Sequence, residues 1–202
     1  MAPASVRSRR ELADYAALHR WSVEDRETFW DMIWDVCGVV GEKGGRVLVD
    51  GDRMPGAKFF PDARLNFAEN LLRSRGDGDA IVFQGEDKVS RRVSWDELHA
   101  LVSRIQQVFR AAGVTSGDRV AAMIPNMPEA VAGMLAAASL GAIWSSCSPD
   151  FGEQGVLDRF GQIEPVVFIA ADGYWYNGKA IDVGTKTAAI AARLPSVRKV
   201  LV

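Results

Sequence analysis

The spacing of apolar residues changes along the chain, and each change predicts an element. Early on, Phe29, Trp30, Ile33, Trp34 and Cys37 fall on one helical face. Ser22 and Asp25 stand before them at capping-box spacing, and Gly38 and Gly41 close the helix. A Gly-rich loop follows, then the short apolar run Val47-Leu48-Val49, then Pro55 and Pro61 around Phe59-Phe60. Residues 65–72 read as a helix with Leu65, Ala68, Leu71 and Leu72 facing inward. Residues 73–79, rich in Gly, Asp and Arg, hold no core and read as a linker.

From Ala80 the pattern becomes one of strands and helices in turn. Residues 80–84 and 89–93 flank Gly85-Glu86-Asp87-Lys88 as a hairpin. Ser94 and Glu97 form a capping box ahead of the stripe Leu98, Leu101, Val102, Ile105, Val108 and Phe109, and Gly113 sits where a C′ glycine belongs. Residues 119–124 predict a strand. Asn126 and Pro128 then open a helix, apolar nearly all round, that runs to Leu140 and stops at Gly141. A strand over 142–146, a helix over 152–163 ended by Pro165, a buried strand over 166–170 and a helix over 185–194 complete the pattern. A further strand opens at Val200. This alternation predicts an α/β fold: a partial, doubly wound parallel sheet with flanking helices, preceded by a helical and irregular N-terminal extension.

Composition narrows the partners. A chain of 202 residues, 48% hydrophobic and 25% charged, has the make-up of a folded soluble domain and not of a disordered tail. Lys plus Arg number 24 against 26 Asp plus Glu, a net charge of −2, which provides no global field for nucleic acid or for an anionic membrane. Arg7, Arg9 and Arg10 have no apolar stretch behind them and read as a solvated, frayed tip, not a signal peptide. No apolar run is long enough to span a bilayer. Cys37 and Cys147 lie far apart without metal-ligand spacing, so a reducing, cytoplasmic location is expected, with no disulfide framework or zinc site. The last residues, Lys199-Val200-Leu201-Val202, read as the opening of a buried strand, and a fragment of a longer protein is expected.

Candidate chemistry is sparse. Residues 173–180, Gly-Tyr-Trp-Tyr-Asn-Gly-Lys-Ala, nearly spell a phosphate-binding P-loop. Ala180, however, has no hydroxyl for magnesium, three aromatics fill the loop, and Ala-Ile-Asp-Val after Lys179 favours an extended segment over a helix. No G-x-G-x-x-G occurs. Ser145, Ser146, Cys147 and Ser148 follow a strand as a nucleophile turn would, but lack the G-x-S-x-G frame, and the chain has only His19 and His99 as basic partners. The plainer reading is a polar loop at a strand's carboxyl end, where open α/β sheets bind ligands. Asp150 and Glu153 near that loop offer a carboxylate pair, but the plainer reading is that they cap the helix starting near Gly152. The Trp and Phe residues at 29, 30, 34, 59, 60 and 67 read as packing.

Several segments together carry a family resemblance. Trp21-Ser22-Val23-Glu24-Asp25 with Phe29-Trp30 resembles the N-terminal helical segment of acetyl-CoA synthetase-like enzymes. So do Met54-Pro55-Gly56-Ala57-Lys58-Phe59-Phe60-Pro61 and Ala63-Arg64-Leu65-Asn66-Phe67-Ala68-Glu69-Asn70-Leu71-Leu72. Pro125-Asn126-Met127-Pro128-Glu129-Ala130-Val131 with Leu140-Gly141-Ala142-Ile143-Trp144 is similar to the first parallel-sheet crossover of the AMP-forming acyl-CoA synthetases. Ser145-Ser146-Cys147-Ser148-Pro149-Asp150-Phe151-Gly152 resembles the acetoacetyl-CoA synthetase branch of that adenylate-forming superfamily.

The resemblance implies residues 1–75 as the N-terminal extension and 76–202 as the first part of an AMP-binding domain. It implies a ligase that uses ATP, Mg2+ and coenzyme A to activate a small-molecule acid, acetoacetate or a similar short acid, with no nucleic-acid or membrane partner. The family's Ser/Thr/Gly-rich phosphate loop, aromatic-Thr-Glu motif, ribose-binding Asp and mobile lysine are all absent from this sequence, so this chain alone is expected to be inactive, with the remainder of the enzyme as its missing partner. No catalytic residue and no metal ligand carry over. In acetyl-CoA synthetase, two basic residues after the strand equivalent to 166–170 approach the 3′-phosphate of coenzyme A. Lys179 matches one of these positions and Tyr176 the other, so Lys179 is implied as a phosphate contact and Tyr176 as a stacking partner for adenine, against the plainer reading of a solvated lysine. A second function class stays open, a non-catalytic synthetase-like module that binds a nucleotide or a protein.

Overall fold

The computed structural model describes residues 12–202. Arg7, Arg9 and Arg10, read as a solvated tip, lie outside the described residues. The chain divides into two compact units, Met1–Asn66 and Phe67–Val202. Composition changes at 75/76. The contacts change earlier because a short helix, Phe67–Leu71, sends Ala68 into the core of the second unit.

The first unit begins with α1 (Tyr15–Glu24) and α2 (Arg26–Val36). Asp14 caps α1, its Oδ1 accepting from the Ala17 amide at 2.8 Å. Ser22, expected to be a cap, lies inside α1 and donates its hydroxyl to the His19 carbonyl at 2.7 Å. The earlier Asp14 cap starts the helix sooner, and Asp25 is left as the joint between α1 and α2 without a side-chain cap. The expected apolar face is also revised. Trp21, Met32 and Trp34 are buried, whereas Trp30 and Cys37 are exposed. A unit this small cannot enclose every ring. Its aromatics pack instead in a chain of contacts: Trp21 on Phe29, Phe29 on Trp30, Trp30 on Phe59, and Trp34 on Phe60, with centroids 5.0–5.6 Å apart. Strands β1 (Leu48–Val49) and β2 (Lys58–Phe59) pair antiparallel beside them.

The second unit opens with α3 (Phe67–Leu71), shorter than the helix expected over 65–72. Leu65 and Leu71 are exposed, contrary to expectation, because so short a helix buries only Ala68 and leans Leu72 on the core. Phe67 is exposed too, and among the described residues no ring contact joins it to the aromatics it was expected to pack with. The hairpin of β3 (Asp79–Gly85) and β4 (Val89–Ser94) leads into α4 (Trp95–Ala111). The capping box there closes in both directions: the Glu97 amide donates to Ser94 Oγ at 3.2 Å, and the Ser94 amide donates to Glu97 Oε2 at 2.8 Å. Leu98, Val102 and Phe109 of the predicted stripe are buried and Leu101 and Ile105 lean on the core, whereas Val108 is exposed, contrary to expectation; Gly113 takes the positive φ that ends the helix.

Next come β5 (Arg119–Met123), α5 (Pro128–Ser139), β6 (Ile143–Cys147), α6 (Glu153–Phe160) and β7 (Val167–Ala170). They are followed by β8 (Gly173–Tyr176), β9 (Lys179–Asp182), α7 (Gly184–Ala192) and β10 (Lys199–Leu201). β10, β7, β5 and β6 form a parallel sheet in that order. Alternation along its central strands sorts the core into two layers. Val120 and Val167 face a cluster with Phe109, Ala132, Leu135 and Ala136. Ala121, Met123, Phe168 and Ala170 face Val156, Phe160 and Ile190. Helices thus cover both faces, as a doubly wound sheet requires.

Three expectations about ends are corrected. Met127, not Asn126, takes the N-cap position of α5, with Pro128 as the first helical residue. Gly152 takes the N-cap position of α6 with no side-chain bond, so Asp150 and Glu153 are not its caps. Their carboxylates have other partners: Asp150 accepts from Ser148 Oγ at 2.9 Å, and Glu153 from Arg193 at 3.0 Å. β10, expected to be buried, pairs among the described residues with β7 alone, and Lys199 and Val200 are exposed.

The turn into β5 carries a pH dependence. The Asp118 carboxylate accepts from the Thr115 amide at 2.8 Å and its hydroxyl at 3.0 Å, and those bonds hold its pKa below the usual carboxylate range. A depressed folded pKa stabilises above the unfolded value and stops doing so as pH falls through the folded one. Asp118→Asn is therefore expected to flatten the acid limb of the melting temperature against pH, measured by circular dichroism, with a larger drop at neutral pH than at the foot of that limb, where the wild-type carboxyl is already protonated.

Candidate functional site

The strand order locates a crevice. From β5 the chain crosses by α5 to β6 on one side, then returns by α6 to β7 on the other, so connections leave β5 and β7 in opposite directions. Such a switch point opens a crevice outside the carboxyl ends of the strands. A cavity of about 400 Å³ lies there, lined among others by Ile124 and Met127 after β5, Ala171 and Asp172 after β7, and Leu201 of β10. Glu129 from the first turn of α5 also lines it and accepts from Arg91 at 2.7 Å. Its charged lining groups are carboxylates, with no lysine or arginine among them, which opposes a bare triphosphate.

The described residues do not fit magnesium triphosphate. Among them no group of three or more His, Cys, Asp or Glu is placed to hold a metal ion. The P-loop-like run is a β-hairpin, β8 paired antiparallel with β9 around Asn177-Gly178, with both turn residues at positive φ. That backbone is the two-residue hairpin turn favoured by Asn-Gly, with no helix behind it to receive an anion.

The polar stretch after α5 makes no nucleophilic couple. Ser145 and Ser146 lie within β6. Ser146 Oγ accepts from the Trp144 indole N–H at 3.1 Å, and Ser148 Oγ is bound to Asp150. Burial pushes the Cys147 thiol up, away from the thiolate form, despite the opposing pull of Arg159 and Lys186. His99 sits on α4 with its ring bonded to the Ser74 carbonyl at 3.0 Å. Among the described residues no hydrogen bond joins a histidine to residues 145–148. Lys186 of α7 ties this loop down, donating to the carbonyls of Pro149 and Phe151.

The hairpin brings the two implied coenzyme A residues together. Tyr176 and Lys179 are cross-strand partners flanking the turn, so both side chains share one face of the ribbon, and both are exposed. Trp175, one residue earlier, is on the other face, with Lys88 Nζ 5.9 Å from its ring centroid. The Lys179 ammonium has no hydrogen-bond or ion-pair partner among the described residues. An exposed ammonium beside an aromatic ring is a donor set that fits one phosphate and an adjoining purine.

Two anchors of this hairpin were not legible in the sequence. The Glu86 carboxylate, at the tip of β3–β4, accepts from the Asn177 amide at 2.6 Å and the Gly178 amide at 3.0 Å. At the hairpin's base the Tyr174 hydroxyl donates to Asp150, which pushes the tyrosine up to about 12 and holds the carboxyl below its ordinary range. The Asn-Gly pair was the available signal for the turn; neither partner is near it in sequence.

Residues 68–202 match the AMP-binding enzyme family, and residues 15–71 match the acetyl-coenzyme A synthetase N-terminus. The acetoacetyl-coenzyme A synthetase of Rhizobium meliloti is 67% identical over 92% of this chain, a stretch amounting to 28% of that relative. A malonamoyl-CoA synthetase of Penicillium aethiopicum is 39% identical over 95% of the chain and 28% of its own length. The solved structure of acetoacetyl-CoA synthetase from Streptomyces lividans superimposes with a TM-score of 0.87 at 44% identity, covering 94% of this chain and 30% of that one. The chain therefore spans less than a third of the length of these proteins. With its sheet, its flanking helices and most of its length matched in this way, the chain belongs to the AMP-binding enzyme family and within it is similar to acetoacetyl-CoA synthetases.

Proposed function

We propose that this chain is the amino-terminal portion of an AMP-forming ligase that converts acetoacetate, ATP and CoA into acetoacetyl-CoA, AMP and pyrophosphate. The observation that carries the reading is the 67% identity, over nearly the whole chain, to an acetoacetyl-coenzyme A synthetase. Acetoacetate is the finer part of the proposal, because a relative named for malonamoyl-CoA shares 39% of the same stretch.

In such a reaction a carboxylate oxygen of the acid attacks the α-phosphorus of ATP and pyrophosphate leaves. The sulfur of CoA then attacks the acyl carbonyl, AMP leaves, and the thiol proton passes to solvent. Mg2+, for which the described residues hold no ligand set, would supply charge neutralisation at the triphosphate in the whole enzyme. The residues described here supply the support for that chemistry. The parallel sheet fixes the crevice at β5 and β7, and the β8–β9 hairpin offers Lys179 to the 3′-phosphate of CoA with Tyr176 beside it. Activation of the acid is assigned to residues outside this chain, so the 202 residues alone are inactive. No helix among the described residues is long and apolar enough to cross a membrane; the cytoplasmic location is part of the proposal.

Acetoacetate-dependent exchange of pyrophosphate into ATP tests this reading. The full-length enzyme is expected to catalyse exchange and residues 1–202 to give none; turnover by the shorter chain overturns the inactivity, and a full-length enzyme idle with acetoacetate overturns the substrate.

A further inference from the structure

We infer that Glu86 is the positioning residue of the hairpin that carries Lys179, an inference that rests on the proposed CoA contact. A two-residue turn leaves its own amides exposed, and in this chain both are taken by one carboxylate arriving from 91 residues earlier in sequence. Each is a charge-assisted hydrogen bond of ordinary length, and together they form a two-point attachment. Two points fix the direction of the ribbon's tip, where a single bond would leave it free to swing. Tyr176 directly precedes the held turn and Lys179 directly follows it, so the attachment sets where their shared face stands.

The surroundings support this role. Lys88, from the same β3–β4 tip, lies by Trp175 on the opposite face of the ribbon, so the tip is held from one side while Tyr176 and Lys179 remain exposed on the other. At the base, Tyr174 is bonded to Asp150. The hairpin is thus fastened at both ends to elements of its own unit. The Glu86 carboxylate also takes up the turn amides as anion donors, which leaves Lys179 as the one cationic side chain of residues 173–182 to meet a phosphate.

The test uses the full-length enzyme and three variants: Glu86→Ala, Lys179→Ala and the double variant. Glu86→Ala is expected to raise KM for CoA about three- to tenfold while acetoacetate-dependent ATP–pyrophosphate exchange stays at the wild-type rate. Lys179→Ala is expected to raise the same KM at least as much, and adding Glu86→Ala to it is expected to raise KM no further, because the residue being positioned is gone. Glu86→Gln, which keeps one acceptor oxygen but turns an NH2 group toward the other turn amide, is expected to restore KM only in part. Amide hydrogen exchange gives a readout independent of turnover: Asn177 and Gly178 are expected to exchange faster in Glu86→Ala and unchanged in Lys179→Ala.

Failures separate cleanly. If Lys179→Ala leaves KM for CoA unchanged, the CoA contact is wrong, whatever the exchange data show. If Lys179→Ala raises KM but Glu86→Ala does not, or if the two effects multiply in the double variant, the positioning role of Glu86 is overturned and the contact survives. A fall in KM with Glu86→Ala also overturns it, since the carboxylate would then be competing with the phosphate for the turn amides.

Discussion

Phe168→Ala is expected to destabilise the second unit by about 3–5 kcal/mol, enough to unfold a domain of ordinary stability at modest denaturant. Phe168 is fully buried on β7, between β5 and β10, and meets Phe160 at a centroid distance of 6.0 Å with the rings tilted by 63°. Its layer holds Ala121, Met123, Val156 and Ile190, all without solvent exposure. Truncation removes the transfer free energy of a ring and leaves a void that neighbours on a sheet cannot close, since strand spacing is fixed by the backbone ladder. Urea unfolding followed by circular dichroism measures the effect. Val82→Ala serves as the control, because Val82 is 63% exposed on β3, and a shift within about 0.5 kcal/mol is expected there. Equal shifts for the two variants would contradict the assigned core. The consequence reaches function, because the chain leaving β7 builds Ala171 and Asp172 of the crevice and then β8 of the hairpin.

How much of this was legible in the sequence depends on the range of the determining interactions. The box at Ser94 and Glu97, the stripe through Phe109 and the runs that become β5 and β7 were readable because each is fixed by neighbours within a few residues. Ser22 misled for the same reason: it has the right spacing, but Asp14 had already started the helix, and a side chain inside a helix bonds back to a carbonyl instead. Leu65 and Leu71 fit an inward face by period, yet α3 is too short to bury it. Asp150 and Glu153 looked like caps by position and were drawn off by Ser148, Tyr174 and Arg193 from other segments.

The candidate site divides in the same way. That residues 173–180 are no P-loop followed from local chemistry, and the Asn-Gly pair at their centre is a strong hairpin signal. The crevice needed the order of four strands, which no local pattern contains. The partner of the turn, Glu86, is set by where two hairpins come to rest, a tertiary result with no trace at Glu86 itself. Short-range rules thus described the scaffold well and the site only in outline.

Gly133→Val is expected to cost about 1–3 kcal/mol through overpacking at the contact between α5 and β6. A Cβ at Gly133 would stand 2.8 Å from Cη2 and 3.0 Å from Cζ3 of Trp144, inside van der Waals contact, with Cδ1 of Ile169 at 3.7 Å. Gly133 is buried and its neighbours on α5 are mostly alanines, so the helix lies close on the sheet and the indole fills the space a side chain would take. The indole cannot swing freely, because its N–H is bonded to Ser146 Oγ at 3.1 Å. Alanine at this position would gain up to about 1 kcal/mol of helix propensity over glycine, which masks part of the clash; valine gains less and adds two methyl groups to it. In a Trp144→Leu background the far end of the indole is gone, and Gly133→Val is expected to lose most of its cost, giving a coupling of about 0.5–3 kcal/mol in a double-mutant cycle. A cost that is the same in both backgrounds would show that the glycine serves the helix and not the indole.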